Sequence, residues 1–189
     1  YEFDGNDWIN RGSSGMGNKY DAMHTYVEAA SKTYRFGGYN GGHQNQTWEY
    51  QTSAVATTSS YGTGCAGQNG TGLTLVADNA PWTGDTWSGT CTTMGPASLA
   101  LSVWGLTTAS VPLDVLLPGF GQPGCVLANS ADAILGPVVP AAGSVTISLP
   151  LPANAALAGQ QLHAQVAEID FTLANLWTSN GVTMTIGVR

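Results

Sequence analysis

The sequence predicts an all-β protein in two parts: a small antiparallel sheet over residues 1–51 and an antiparallel β-sandwich over residues 61–189. Three observations carry this. Tyr1-Glu2-Phe3 is echoed by Trp48-Glu49-Tyr50 at an offset of 47 residues, so the first part holds one repeat unit and the tail of another. Beyond Tyr61, nine short apolar runs recur, separated by Gly, Pro, Asn and Asp, the spacing of many short strands joined by turns. No apolar run combines the length and the 3.6-residue period of a helix longer than about two turns.

In chain order, Phe3, Trp8 and Ile9 belong to a hairpin closed by Asp4-Gly5-Asn6-Asp7, residues that turn the chain easily. The Gly-rich and Ser-rich residues 12–17 form a flexible connection. Ala22, Met23, Tyr26, Val27, Ala29 and Ala30 loosely fit a helical period, but the repeat makes them two strands around a turn at residues 28–32. A period of this length with a paired glycine (Gly37-Gly38) and a later tryptophan (Trp48) is the pattern of a propeller blade. One blade cannot bury both of its faces, so this part needs a neighbouring sheet.

Residues 52–60, rich in Ser and Thr, are either a last strand or a linker, and resemble an O-glycosylated connector in composition. The runs that follow are residues 73–76, 87–93, 99–104, 113–117, 125–127, 133–139, 145–151, 162–169 and 184–188. They read as a sandwich of jelly-roll or Ig-like type. Residues 152–160 have room for a single helical turn.

Charge excludes several functions. The chain carries 12 acidic and 5 basic residues, and Arg11, Lys19, Lys32 and Arg35 are followed by no Lys or Arg until Arg189. Such a surface cannot neutralise phosphates, so no nucleic acid is expected as a partner, and anionic membranes are equally poor targets. No apolar run approaches the ~18–20 residues of a membrane-spanning helix, and no membrane insertion is expected. A start at Tyr1, inside a strand pattern and without Met, reads as a mature exported chain.

No arrangement of zinc-ligand spacing exists among Cys65, Cys91, Cys125 and the scattered His24, His43 and His163. Cys65 and Cys125 both occupy tight polar turns and are expected to form a disulfide, with Cys65–Cys91 as the alternative pairing; Cys91, in a strand-like run, reads as a buried thiol. Gly62-Thr63-Gly64-Cys65-Ala66-Gly67 fits a dinucleotide fingerprint in spacing only, because the polar residues 57–60 before it are no apolar strand and no helix follows. Gly12-Ser13-Ser14-Gly15 has the wrong spacing for a nucleophile elbow. Asp78 and Asp85 around Trp82 read as solvated turn acids rather than a glycosidase pair. Asp4, Asn6 and Asp7 read as a hairpin turn rather than a Ca²⁺ loop. His24 is expected to be packed or hydrogen-bonded, and Trp87 and Trp104 to lie in the core. Trp82 and Trp177, near turns, are the aromatic candidates for exposure and sugar stacking. Asn45 and Asn69 head Asn-x-Thr sequences and, with Thr57, Thr58 and Ser59, are the candidate glycan attachment points.

Residues 1–51 resemble a Kelch repeat, through Phe36-Gly37-Gly38 and Thr47-Trp48-Glu49-Tyr50. The resemblance implies that the glycine pair lets the blade's second strand end tightly and that Trp48 packs between blades. Residues 61–189 resemble a C-terminal β-domain of large exported proteins of planctomycete-type bacteria. The shared pieces are Tyr61-Gly62-Thr63-Gly64-Cys65, residues 121–125, Leu149-Pro150-Leu151-Pro152, Ala158-Gly159 with residues 162–165, and Ser179-Asn180-Gly181. This second resemblance implies export and a structural or appended module, with no activity of its own.

The expected function is therefore non-enzymatic, without cofactor or metal. The chain reads as a secreted or cell-surface structural subunit that assembles with copies of itself into a filament by exchanging or sharing strands. Tyr1, Phe3, Trp8 and Ile9 are the expected contacts with the neighbouring subunit. A secreted carbohydrate-binding or adhesive module that engages surface glycans, and the processed tail of a Kelch-type surface protein, are the alternatives.

Overall fold

The computed structural model describes residues 2–3, 8–9, 22–27, 32–39, 41–43, 45–51, 55–172 and 174–188, and divides the chain into one unit over Tyr1–Thr52 and another over Ser53–Arg189. Tyr1, the hairpin turn at 4–7 with its candidate Ca²⁺ ligands, the connection at 12–17 and the turn residues 28–31 lie outside the described residues.

In the first unit, β1 (Glu2–Phe3) pairs antiparallel with β2 (Trp8–Ile9), Phe3 opposite Trp8. A separate three-stranded antiparallel sheet follows, with β4 (Lys32–Phe36) between β3 (Met23–Val27) and β5 (Thr47–Gln51). The Met23 region is thus strand, and its helical period has no structural counterpart. β4 ends at Gly37 and Gly38, both at positive φ (70° and 103°), where the Gly37 N–H donates to the Gln46 carbonyl at 3.0 Å. Residues with a Cβ rarely take such a pair of angles, which accounts for the doubled glycine.

The second unit is an antiparallel sandwich. Its six-stranded sheet contains β6 (Thr57–Tyr61), β9 (Leu99–Gly105), β12 (Ala133–Val138), β14 (Gln161–Asp170), β15 (Asn175–Thr178) and β16 (Gly181–Thr185). The order is β12-β9-β14-β16-β6, and β15 extends β16's side along the second half of β14. The opposing sheet has the order β13-β8-β7, from β7 (Thr74–Ala77), β8 (Thr86–Thr92) and β13 (Val145–Pro150). A ribbon of β10 (Thr108–Pro112) and β11 (Val126–Asn129), with the one-turn helix α1 (Leu113–Leu116), completes the unit.

Alternation explains the core. On β8, Trp87, Gly89 and Cys91 are buried while their neighbours are not, and on β13 Val145 and Ile147 repeat the pattern. They pack with Leu73, Leu75, Ala164, Val166 and Met184. Trp87 and Trp104 meet edge to face at 5.7 Å, a favoured aromatic geometry. β14 is buried on both faces, because the ribbon lies against its second face. Gln165 on that face is the fastener: its amide donates to the Val126 and Ser179 carbonyls at 3.0 and 2.8 Å and accepts from the Ala128 N–H at 2.9 Å.

In the second unit, three sequence expectations differ from the structure. The run at residues 113–117 contains a helical turn, since a five-residue apolar run cannot by itself distinguish strand from helix. Pro112 ends β10, and Leu113 alone of the helix is buried. Residues 57–61 are a strand, but one that pairs with β16 in the second unit's sheet rather than closing the N-terminal one. Trp177 is 7% exposed, because β15 holds it within the sheet beside β14.

Candidate functional site

The second unit is open along one flank. The six-stranded sheet ends there in β12, and the three-stranded sheet ends in β13. All six residues of β12 are exposed, yet three of its positions and the next are Ile134, Leu135, Val138 and Val139 among Ala, Gly and Pro, with exposures of 57, 52, 48 and 69%. An exposed edge strand with apolar side chains is a template for another strand.

Behind it lies an apolar groove of about 310 Å³ whose walls include Trp104, Leu106, Leu135, Leu149 and Leu162. Leu135 also borders a second hollow of about 190 Å³, which Val138 and Val145 line too. The groove lies beside the first half of β12, which follows β9 in register with Ala133 opposite Trp104 and Leu135 opposite Ser102; the register then shifts before Val138 opposite Ala100. The shift falls at Gly136-Pro137, where proline offers no N–H for pairing.

One charge marks the end of this flank. The Asp132 carboxylate accepts from the Leu106 N–H at 2.7 Å and from the Ser130 hydroxyl, and these bonds, the hydroxyl first, hold its pKa below the ordinary carboxylate value. The second unit contains Asp78, Asp85, Asp114, Asp132, Glu168 and Asp170 against Arg189 alone. All other cations of the chain belong to the first unit.

The remaining candidates fall into place separately. Cys65 and Cys125 form a disulfide with Cα atoms 5.4 Å apart, and Cys91 is a buried free thiol. Burial first, then the nearby Glu168 carboxylate, push the Cys91 pKa up to about 12. Asn45 is exposed; Asn69 is exposed too, and its side-chain oxygen accepts from the Thr71 N–H at 2.9 Å. Thr57, Thr58 and Ser59 are exposed on β6. His24, expected to be packed or hydrogen-bonded, is exposed on β3 rather than packed. The backbone of Phe3, Trp8 and Ile9 is described, but Tyr1 and these three side chains lie outside the described residues. Trp82 is half-buried, its ring so close to Gly187 that a Cβ there would collide with it. Asp78 accepts from the Thr90 hydroxyl at 2.9 Å, on the solvent side of β8.

The glycine-rich loop has a structural reason. Glu168 and Asp170 alternate on one face of β14 and are both buried. Glu168 accepts from the Gln68 and Gly95 N–H groups at 3.2 and 2.5 Å, and Asp170 accepts from the Gln68 amide at 2.6 Å and the Thr172 N–H at 2.8 Å. Any Cβ at Gly67 would run into the Glu168 carboxylate, so the loop reads as a clasp on buried acids rather than a phosphate cradle. The roles of these acids, and of Gln165, Asn129 and Asn180, escaped the sequence reading; for Glu168 and Gln165 a polar residue inside an otherwise apolar strand run was the signal. Among the described residues, no group of three or more His, Cys, Asp or Glu is placed to hold a metal ion, and no helix is long and apolar enough to cross a membrane.

What the open flank can do chemically is bind a short extended segment with bulky apolar side chains and a positive charge at one end. No protein-family model matches the chain, and no curated protein matches it.

Proposed function

We propose that this chain is a non-enzymatic extracellular structural subunit that assembles with copies of itself into a filament, through exchanged or shared strands from its N-terminal region. The observation that carries the reading is the β1–β2 ribbon, two residues per strand, which pairs with no third strand among the described residues. A two-stranded ribbon is marginal in water, so it gains most by adding to another sheet. A contact between unlike surfaces that does not close on itself builds a fibre.

Two further features support it. The buried polar groups Glu168, Asp170 and Gln165 are bonded to the protein's own backbone and side chains, as in a scaffold. The disulfide is compatible with an oxidising, extracellular setting.

Size exclusion and negative-stain imaging of the intact chain and of the chain lacking residues 1–10 test the reading. The intact chain forms fibres, and the shortened one stays folded but monomeric. Fibres of unchanged geometry from the shortened chain would remove the N-terminal strands from the mechanism. An intact chain that stays monomeric at every concentration would remove assembly itself, and its retention on a polysaccharide resin would favour the glycan-binding alternative.

A further inference from the structure

We infer that the acceptor for the donated strand is the open flank between β12 and β13, and that its occupant is β2 of a second copy of this chain, continued to Arg11; this rests on the assembly reading above. The argument is one of register. When β2 runs antiparallel to β12 with Trp8 opposite Leu135, residues 8–11 meet residues 135–132 in four pairs. They are Trp8 with Leu135, Ile9 with Ile134, Asn10 with Ala133, and Arg11 with Asp132.

Directly opposed residues of an antiparallel pair lie on the same face of the sheet. Trp8 therefore shares the face of Leu135, which lines the 310 Å³ groove, and its indole meets Trp104 and Leu149 there. Ile9 lands on Ile134, which is otherwise 57% exposed. Arg11 reaches the Asp132 carboxylate, an acceptor in a unit whose own sole cation is Arg189. A slip of one residue turns Trp8 away from the groove and separates the two charges, so this register is strongly preferred. The short match also suits the strand: β12 stays in step with β9 only up to Leu135, before the break at Gly136-Pro137.

Because donor and acceptor are different surfaces of one chain, each copy offers one of each, and addition propagates without closing. The acceptor is purely a binding surface, and no covalent step is involved.

Complementation between two full-length variants tests the inference. Trp8→Asp disables the donor and leaves the acceptor, and Leu135→Glu does the reverse. Circular dichroism checks that both fold. Leu106→Glu, in the turn after β9, is a second acceptor variant that leaves β12 untouched. Each variant alone is monomeric by size exclusion, with its critical concentration raised about 30-fold or more, as for loss of an interface hot spot. An equimolar mixture of Trp8→Asp with Leu135→Glu gives a 1:1 dimer and nothing larger, since one working donor and one working acceptor remain. If Trp8→Asp is monomeric while Leu135→Glu and Leu106→Glu both polymerise like the parent chain, the flank is not the acceptor, although the assembly reading survives. If Trp8→Asp also polymerises like the parent, or the parent never polymerises, that reading fails together with the inference.

Discussion

β6 and β12 close opposite edges of the same six-stranded sheet, and they solve the edge problem differently. β6 presents Thr57, Thr58, Ser59 and Ser60 to solvent, and its end is fastened. The Tyr61 hydroxyl donates to the Ala128 carbonyl at 3.2 Å, its ring stands edge-on to His163 at 5.8 Å, and Cys65 is joined to Cys125. β12 presents Ile134, Leu135, Val138 and Val139 instead, with an apolar groove behind it. A polar, fastened edge gains little from a new strand. An apolar edge over a groove gains buried area at roughly 25 cal/mol per Å². Two free ladders of one sheet thus differ in the side chains beside them, and on the assembly proposal those side chains select the partner surface.

Breaking the fastened edge has the largest expected effect on stability. Cys125→Ser opens the loop between residues 65 and 125, and on the chain-entropy estimate costs about 4 kcal/mol. Denaturant unfolding with and without reductant measures it, and the parent under reductant should match the variant. Tyr61→Phe removes one hydrogen bond and leaves a carbonyl short of a donor, a loss of about 1 kcal/mol by the same unfolding assay.

A smaller effect comes from pH. His163 is 5% exposed under Tyr61, with its Nδ1 3.0 Å from the Thr183 hydroxyl, and burial lowers its pKa from the ordinary 6.5. The unfolded chain takes up the imidazole proton first on acidification, while the folded chain resists it. Stability is therefore full above pH 6.5 and falls as pH drops from there towards the lowered folded value. A melting-temperature series from pH 7.5 to 5, repeated on His163→Gln, isolates this contribution, and the variant should show a flatter profile.

The smallest effect on stability belongs to the free edge. Leu135→Glu lies on a half-exposed position and should change unfolding free energy by no more than about 0.5 kcal/mol. The contrast with its expected loss of assembly is the signature of an interface residue.

Where burial alternates, the fold could be read from the sequence: Trp87, Gly89 and Cys91 on β8, or Val145 and Ile147 on β13, mark every second residue. β14 hid its role, because it is covered on both faces and sets the polar His163 and Gln165 beside Ala167 and Ile169 on its second face. β6 is hard to place from the sequence for the opposite reason. An exposed strand of Thr and Ser has no apolar pattern to declare it, and only its pairing with β16 assigns it. The disulfide was legible because Cys65 and Cys125 both stand in Gly-flanked turns. The open flank was not, since it is built from β9, β12 and β13, which the chain order keeps apart and only the strand order brings to one side.

Hydrogen–deuterium exchange on the assembled and the dissociated protein compares the two edges directly. The account predicts that the backbone amides of residues 133–135 and 8–11 gain protection on assembly, while those of residues 57–60 exchange equally in both states. Protection gained at residues 57–60 with none at residues 133–135 would contradict it and move the acceptor to β6.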